Sequence, residues 1–378
     1  MADQREVESL NLVPSMKSML RSHGMLYVSD LKELGGAFEL AQYLGVESQV
    51  ALEVLRAAEA TPAQLTSSEW TYNALKRVTE EKGVITFVKS LDVLLGNGAA
   101  IGQITEFAGT PGVGKTQMAI QLCLDVQIPT AFAGIGGRAV YIDTEGAFWN
   151  AMDRVSQMAE AVVKHLRRST KGRDGAVDEA RAKIAADITA EGFLQGIDCY
   201  RAHTRSELMA QTAALDARLA LDPTIKLVVI DSVAFPFRTV GMHAKDAARV
   251  RDRELQDLAA TLHRLAFERR VAVVVMNHLG LKFDKVVQSF ALAPVLGEVW
   301  HHAVSTRVLL YQQPRDDASW GVGTGVGLPH HHCRRVAQLV KSTRQRSGAA
   351  FFRIVREGVR EDKPTTVNEN GKRPLDEA

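Results

Sequence analysis

Residues 109–116 read Gly109-Thr110-Pro111-Gly112-Val113-Gly114-Lys115-Thr116, filling every fixed position of the pattern G-x-x-x-x-G-K-[ST]. Glycines there let the backbone turn successive N–H groups inward around an anion. Lys115 is placed to reach the terminal phosphates of a nucleotide, and the Thr116 hydroxyl to ligate magnesium. A strand-like apolar run at 104–108 precedes the loop. A stretch with amphipathic helical spacing, 115–126, follows it and aims its N-terminus at the anion. The octapeptide, with Gln117 directly behind it, predicts that the chain binds ATP with Mg2+.

Outward from the loop, strand-like runs alternate with helical stretches. The runs are 104–108, 139–143, 227–231, 271–277 and 305–312, with helices at 115–126 and 252–269 between them. This alternation predicts parallel βαβ units, hence an α/β core with a mostly parallel sheet covered on both faces. Leu227-Val228-Val229-Ile230-Asp231 is an apolar strand ending in one carboxylate, so Asp231 is the candidate second holder of the metal, acting through its waters. YIDTEG at 141–146 ends another strand, and Glu145 is the candidate group to orient or deprotonate water. Ligands of open α/β sheets bind beyond the carboxyl ends of the strands, where these residues converge.

The remainder bounds the organisation. Residues 1–62 read as several short helices punctuated by Gly24 and Gly45. Residues 63–82 read as a linker with one short helix at 70–78, the core as 83–363, and 364–378 as an ionic, disordered tail. The segment 164–192 reads as an exposed helical excursion. The chain of 378 residues carries a net charge of +2. Residues 1–82 alone balance at −4 and the rest at +6, so a polyanion partner of the body and ordinary surface charge both fit. Cys123, Cys199 and Cys333 are scattered, without zinc or disulfide spacing, as in a reducing compartment. MADQREVESL is too polar for a signal peptide, and the apolar runs are too short for a membrane span. A soluble, intracellular protein is expected.

The P-loop, YIDTEG and LVVIDS at 227–232 together resemble the RecA-type recombinases of eukaryotes and archaea. The resemblance covers about 83–363 and extends to the front, where a helix-hairpin-helix type domain is usual. Within the family the chain is most similar to the C paralogue branch, a mediator subunit, through FAGTPGVGKTQMAIQLCLDVQIP (107–129), IDSVAFPFR (230–238) and PVLGEVWHHAVSTRVLL (294–310). The resemblance implies an ATP-binding, slowly hydrolysing, DNA-binding subunit in homologous recombination and double-strand break repair, assembled with other recombinase paralogues. It implies binding of single- and double-stranded DNA, and residence in the nucleus with some cytoplasmic protein. A short basic motif around Lys372-Arg373 agrees with nuclear import. Arg154, arriving late through Trp149-Asn150, is implied to lie against the adenine. Two DNA loops are implied, at 235–247 with Arg238 and Lys245, and at 278–297 with Lys282 and Lys285 flanking Phe283.

Two departures from the family stand out. Where it has Asn-Gln before the second DNA loop, this chain reads Asn277-His278. The aromatic-x-x-Ala hook of self-polymerising members is absent from the linker, where Trp70 and Tyr72 have other spacing. Phe38-Glu39-Leu40-Ala41 has that spacing but is expected in the core of the helical domain. Pairing with different paralogues is thus expected over homofilaments. The segment 334–363 carries nine Lys/Arg against three Asp/Glu. Phosphate contacts, a partner's acidic surface and a group acting at a neighbour's ATP all fit that density. His330-His331-His332-Cys333 is poor ligand geometry on a strand, whose side chains alternate faces. His301-His302 reads as structural.

Overall fold

Five apolar residues, 225 and 227–230, make a strand that no one-sided sheet could accept, because consecutive side chains point to opposite faces. In the computed structural model the strand β4 (Ile225–Asp231) lies buried, with Leu227 and Val229 packed on one face and Val228 and Ile230 on the other. The residues described are 5–10, 12–59, 82–171, 178–238, 245–284, 289–314 and 333–362. The chain divides into two compact units, Met1–Glu80 and Glu81–Ala378.

The front unit contains the helices Pro14–Ser22, Val28–Glu33, Ala37–Leu44 and Ser48–Glu59. Pro14 opens the first, where a missing N–H costs nothing. Gly45 ends the third in the left-handed region, φ 66°, as a residue without Cβ can. Leu20, Leu31, Leu40, Ala51 and Val54 form its core. The expectation that Phe38 belongs to this core is corrected. Leu40 and Ala41 turn inward, but Phe38 is 70% exposed, because it falls on the opposite side of the Ala37–Leu44 helix from Leu40.

The second unit is built on a sheet whose strands, among the described residues, are β1 (Ile104–Gly109), β2 (Arg138–Asp143), β3 (Ile197–Arg201), β4, β5 (Ala272–Asp284), β6 (Ser289–Pro294), β7 (Thr306–Pro314), β8 (Cys333–Lys341), β9 (Gly348–Val355) and β10 (Gly358–Glu361). Their order is β10-β9-β8-β7-β1-β5-β4-β2-β3, with β6 paired to β5 outside this path. The strands from β7 to β2 run parallel, as expected, and β3, which no predicted run covers, continues the same direction. The edge β8–β10 is antiparallel and was not expected; its strands lie in the basic segment, where charged side chains break the apolar runs.

Two further expectations change. The helix Lys115–Asp125 is buried nearly all round rather than amphipathic, because the sheet covers one side and the helix Met152–Arg168 and β10 contact it from elsewhere. Its polar Gln121 is satisfied: it donates to Asp125 at 2.7 Å and accepts from Val359 N at 3.0 Å. The second predicted DNA loop is an antiparallel hairpin. β5 runs on past Asn277 to Asp284 and pairs with β6, Leu281 opposite Leu292 and Phe283 opposite Phe290. The alternation Leu279, Leu281, Phe283 is a period-2 strand signal and explains why the strand continues. The excursion at 164–192 holds the end of the Met152–Arg168 helix and the helix Glu179–Asp187, with residues 172–177 outside the described set. The linker helix at 70–78, the tail, and His330 to His332 also fall outside it.

Candidate nucleotide site

The strand registers bring one row of residues to a common edge. Asp143 of β2 pairs with Asp231 of β4, Asp231 with Met276 of β5, and His278 of β5 with Gly109 of β1. The residues that follow each strand therefore open onto the same space, as the carboxyl-edge rule demands.

The loop after β1 depends on glycine at specific points. Gly112 has φ +77°, and Gly114 has φ +113°. A Cβ on Gly114 would lie 2.5 Å from Ile354 Cδ1, and one on Gly109 2.8 Å from the Leu310 carbonyl oxygen. Lys115 turns its ammonium back over the loop and donates to the carbonyls of Gly109 and Thr110, each at 3.0 Å. Burial lowers the lysine's pKa, while the negative charges of Asp231 and Glu145 oppose that shift. A cation held this way among inward-facing amides is built for an anion.

Asp231 faces Lys115 from the end of β4. Its Oδ2 accepts from Thr116 Oγ1 and from the Tyr141 hydroxyl, both at 2.7 Å. Burial raises the pKa of the Asp231 carboxyl, and these two hydrogen bonds oppose the shift. The Thr116 hydroxyl and the Asp231 carboxylate thus form a hard-oxygen pair beside the lysine, the donor set that suits Mg2+. Tyr141 was missed from the sequence. Its ring reads as one more apolar strand residue, and only the tertiary fold aims its hydroxyl at the carboxylate.

Glu145 is positioned by the turn after β2. Asp143 accepts the backbone N–H groups of Glu145, Gly146, Ala147 and Phe148 at 2.8–3.2 Å, which fixes the turn into the short helix Ala147–Asn150. The Glu145 Oε1 accepts from the Ser232 hydroxyl and, at 2.6 Å, from His278 Nε2. The hydrogen bond from His278 leads in holding the Glu145 carboxyl at about 2; burial opposes it, and Ser232 and the charges of His278 and Arg238 assist. Glu145 is therefore ionised and suited to orienting water more than to removing its proton.

Arg154 lies at the rim. Its guanidinium donates to Gln117 Oε1 at 2.8 Å, to Gln157 Oε1 at 2.6 Å, and to the carbonyls of Val355 and Arg356. It ties the P-loop helix to the turn between β9 and β10. Of the DNA candidates, Arg238 is exposed next to the site, Lys245 begins the helix Lys245–Arg269, and Lys282 sits on β5 opposite Ala291. Lys285 lies outside the described residues. A second unpredicted feature sits beneath the site: buried Glu106 of β1 accepts from Asn277 Nδ2 at 2.7 Å, from Trp300 Nε1 at 2.9 Å, and from Arg307. No group of ligand-type side chains fit to hold a metal without phosphate occurs among the described residues. Nor is any described helix long and apolar enough to cross a membrane.

With this geometry in view, comparison with known proteins decides the family. The Rad51 family model matches residues 79–167 and 178–361. The chain belongs to the Rad51 family. Its α/β core is accordingly of the RecA-like type. Among Rad51-family relatives, the DNA repair protein RAD51 homolog 3 of Cricetulus griseus is 33% identical over 368 residues, covering 95% of this chain and 92% of that protein. The protein of the same name from Dictyostelium discoideum is 32% identical over 278 residues, covering 74% of this chain and 65% of that one. The Rad51 match runs through the P-loop, Glu145, Asp231 and His278 alike.

Proposed function

We propose that this chain is an ATP-binding, slowly hydrolysing, DNA-binding recombinase paralogue. It assembles with other paralogues to support homologous recombination and double-strand break repair, in the nucleus with some cytoplasmic protein. The observation that carries the reading is the convergence of Lys115, Thr116 and Asp231 at one edge of the sheet, with Glu145 beside them. The relatives named for DNA repair support the setting. The loop from Gly109 to Gly114 would wrap the phosphates, with Lys115 on the terminal ones. Thr116 would ligate Mg2+ directly and Asp231 through water. When bound, the metal would neutralise charge on the phosphates. Arg154 and Gln117 would border the base, the guanidinium plane being free to stack once its N–H groups are engaged. Arg238 and Lys245 after β4, and Lys282 on β5 with Lys285 beyond it, would meet DNA phosphates.

Slow turnover follows from the weak basicity of Glu145, and a neighbouring subunit would complete the site. Affinity purification of the tagged chain with identification of the copurifying subunits tests the assembly. Other recombinase paralogues are expected; recovery of the chain alone sinks the hetero-oligomer reading.

One observation favours a second reading, an autonomous recombinase building its own filaments. Phe38 is exposed and stands in aromatic-x-x-Ala spacing with Ala41. Electron microscopy of the pure chain on DNA separates the two. Long filaments that disappear in F38A would establish the second; their absence leaves the first.

A further inference from the structure

His278 closes the parallel part of β5 directly opposite Gly109. Its Nε2 is 2.6 Å from Glu145 Oε1 and 3.1 Å from Ser232 Oγ. An ionised carboxylate has no proton to give, so Nε2 carries the hydrogen and donates. The Ser232 hydroxyl donates to the same Oε1. One oxygen of Glu145 is therefore held by two donors, one from the end of β4 and one from the end of β5, which fixes the plane of the carboxyl group. The other ring nitrogen, Nδ1, is buried with no hydrogen-bond partner among the described residues. The ring is thus anchored through Glu145 and Ser232 alone.

We propose that His278 is a positioning residue for ATP turnover: it fixes Glu145 through Oε1 and leaves Oε2 to orient the attacking water. This rests on the hydrolytic reading above. The charged group on the ring is Glu145, from the turn after β2, and Arg238 acts on that same carboxylate. Nε2 keeps its hydrogen in both the neutral and the protonated ring, so the bond to Glu145 survives either way.

The test is ATP turnover by the full chain, for the parent, H278A, H278Q and K115A. H278A is expected to lower kcat about ten-fold, with KM for ATP within about two-fold. H278Q, whose amide can still donate to Oε1, is expected to recover most of the loss. A kcat of H278Q as low as that of H278A, or a loss confined to KM, overturns the proposal. Histidine ring NMR supplies a readout independent of turnover. In E145Q the His278 Nε2–H proton signal is expected to move upfield from its parent position, because a neutral amide oxygen accepts more weakly than a carboxylate. An unchanged signal overturns the pairing. If K115A hydrolyses ATP as fast as the parent, the hydrolytic reading falls by itself, and the NMR result still decides the Glu145–His278 pair.

Discussion

Gly109 and His278 are register partners across β1 and β5, yet the two strand ends work by different means. At the β1 end the chemistry is made by backbone. Glycines in left-handed conformations turn amides inward, and Lys115 rests on main-chain carbonyls. At the β5 end it is made by side chains, with His278 meeting Glu145 from β2 and Ser232 from β4. A backbone site is specified by consecutive residues. A side-chain site is specified by residues 46 and 133 positions away. The first should tolerate almost no substitution, the second a graded series.

The largest effect expected is at the β1 end. K115A removes a charge-assisted donor to phosphate and should weaken ATP binding about a hundred-fold, read by equilibrium binding with Mg2+ present. An unaltered affinity would move the phosphates elsewhere. Next comes a matched pair of glycines. G114A forces a Cβ into a φ of +113° and to 2.5 Å from Ile354 Cδ1. It should cost about 2 kcal/mol or more in denaturant unfolding. G280A, with no positive φ and its nearest contact the Val295 Cγ1 at 3.0 Å, should cost less than about 1 kcal/mol. Equal costs would erase the contrast between the two ends.

A smaller effect is the acid response of Glu145. Its carboxyl titrates at about 2 in the folded protein against an ordinary value of 4.5. The folded state therefore binds that proton less readily than the unfolded chain. The stability it contributes is complete above about pH 4.5 and is lost as pH falls towards about 2. E145Q should lack this component, and acid titrations of unfolding that superimpose for the two proteins would contradict it. The smallest effect lies out on the hairpin, where K282A should lower the salt slope of single-stranded DNA binding by about 1. An unchanged slope removes Lys282 from the DNA contacts.

The contrast also explains what was legible in the sequence. Lys115, Thr116, Glu145 and Asp231 could be read because each sits at a strand end in a short local pattern, and parallel order brings strand ends together. Asn277-His278 could be read as a departure but not as a partner of Glu145, since nothing local links residues 145 and 278. Tyr141 and Glu106 were hidden for a related reason. One looked like apolar filling, the other like a stray carboxylate in a strand, and only the fold gives them Asp231, Trp300 and Arg307 as partners. The hairpin after Asn277 was missed although Leu279, Leu281 and Phe283 alternate, because a glycine and charged residues intervene. Phe38 was misplaced because spacing to Ala41 says nothing about which side of a helix faces the core.

The central claim is that one edge of the sheet joins a phosphate-holding lysine to a water-orienting glutamate. Single-turnover ATP hydrolysis by the parent, K115A and E145Q, with and without single-stranded DNA and alongside ATP binding, tests it most directly. The account predicts that K115A loses binding and cleavage together, while E145Q keeps binding and loses cleavage. Cleavage by E145Q at the parent's rate would contradict it.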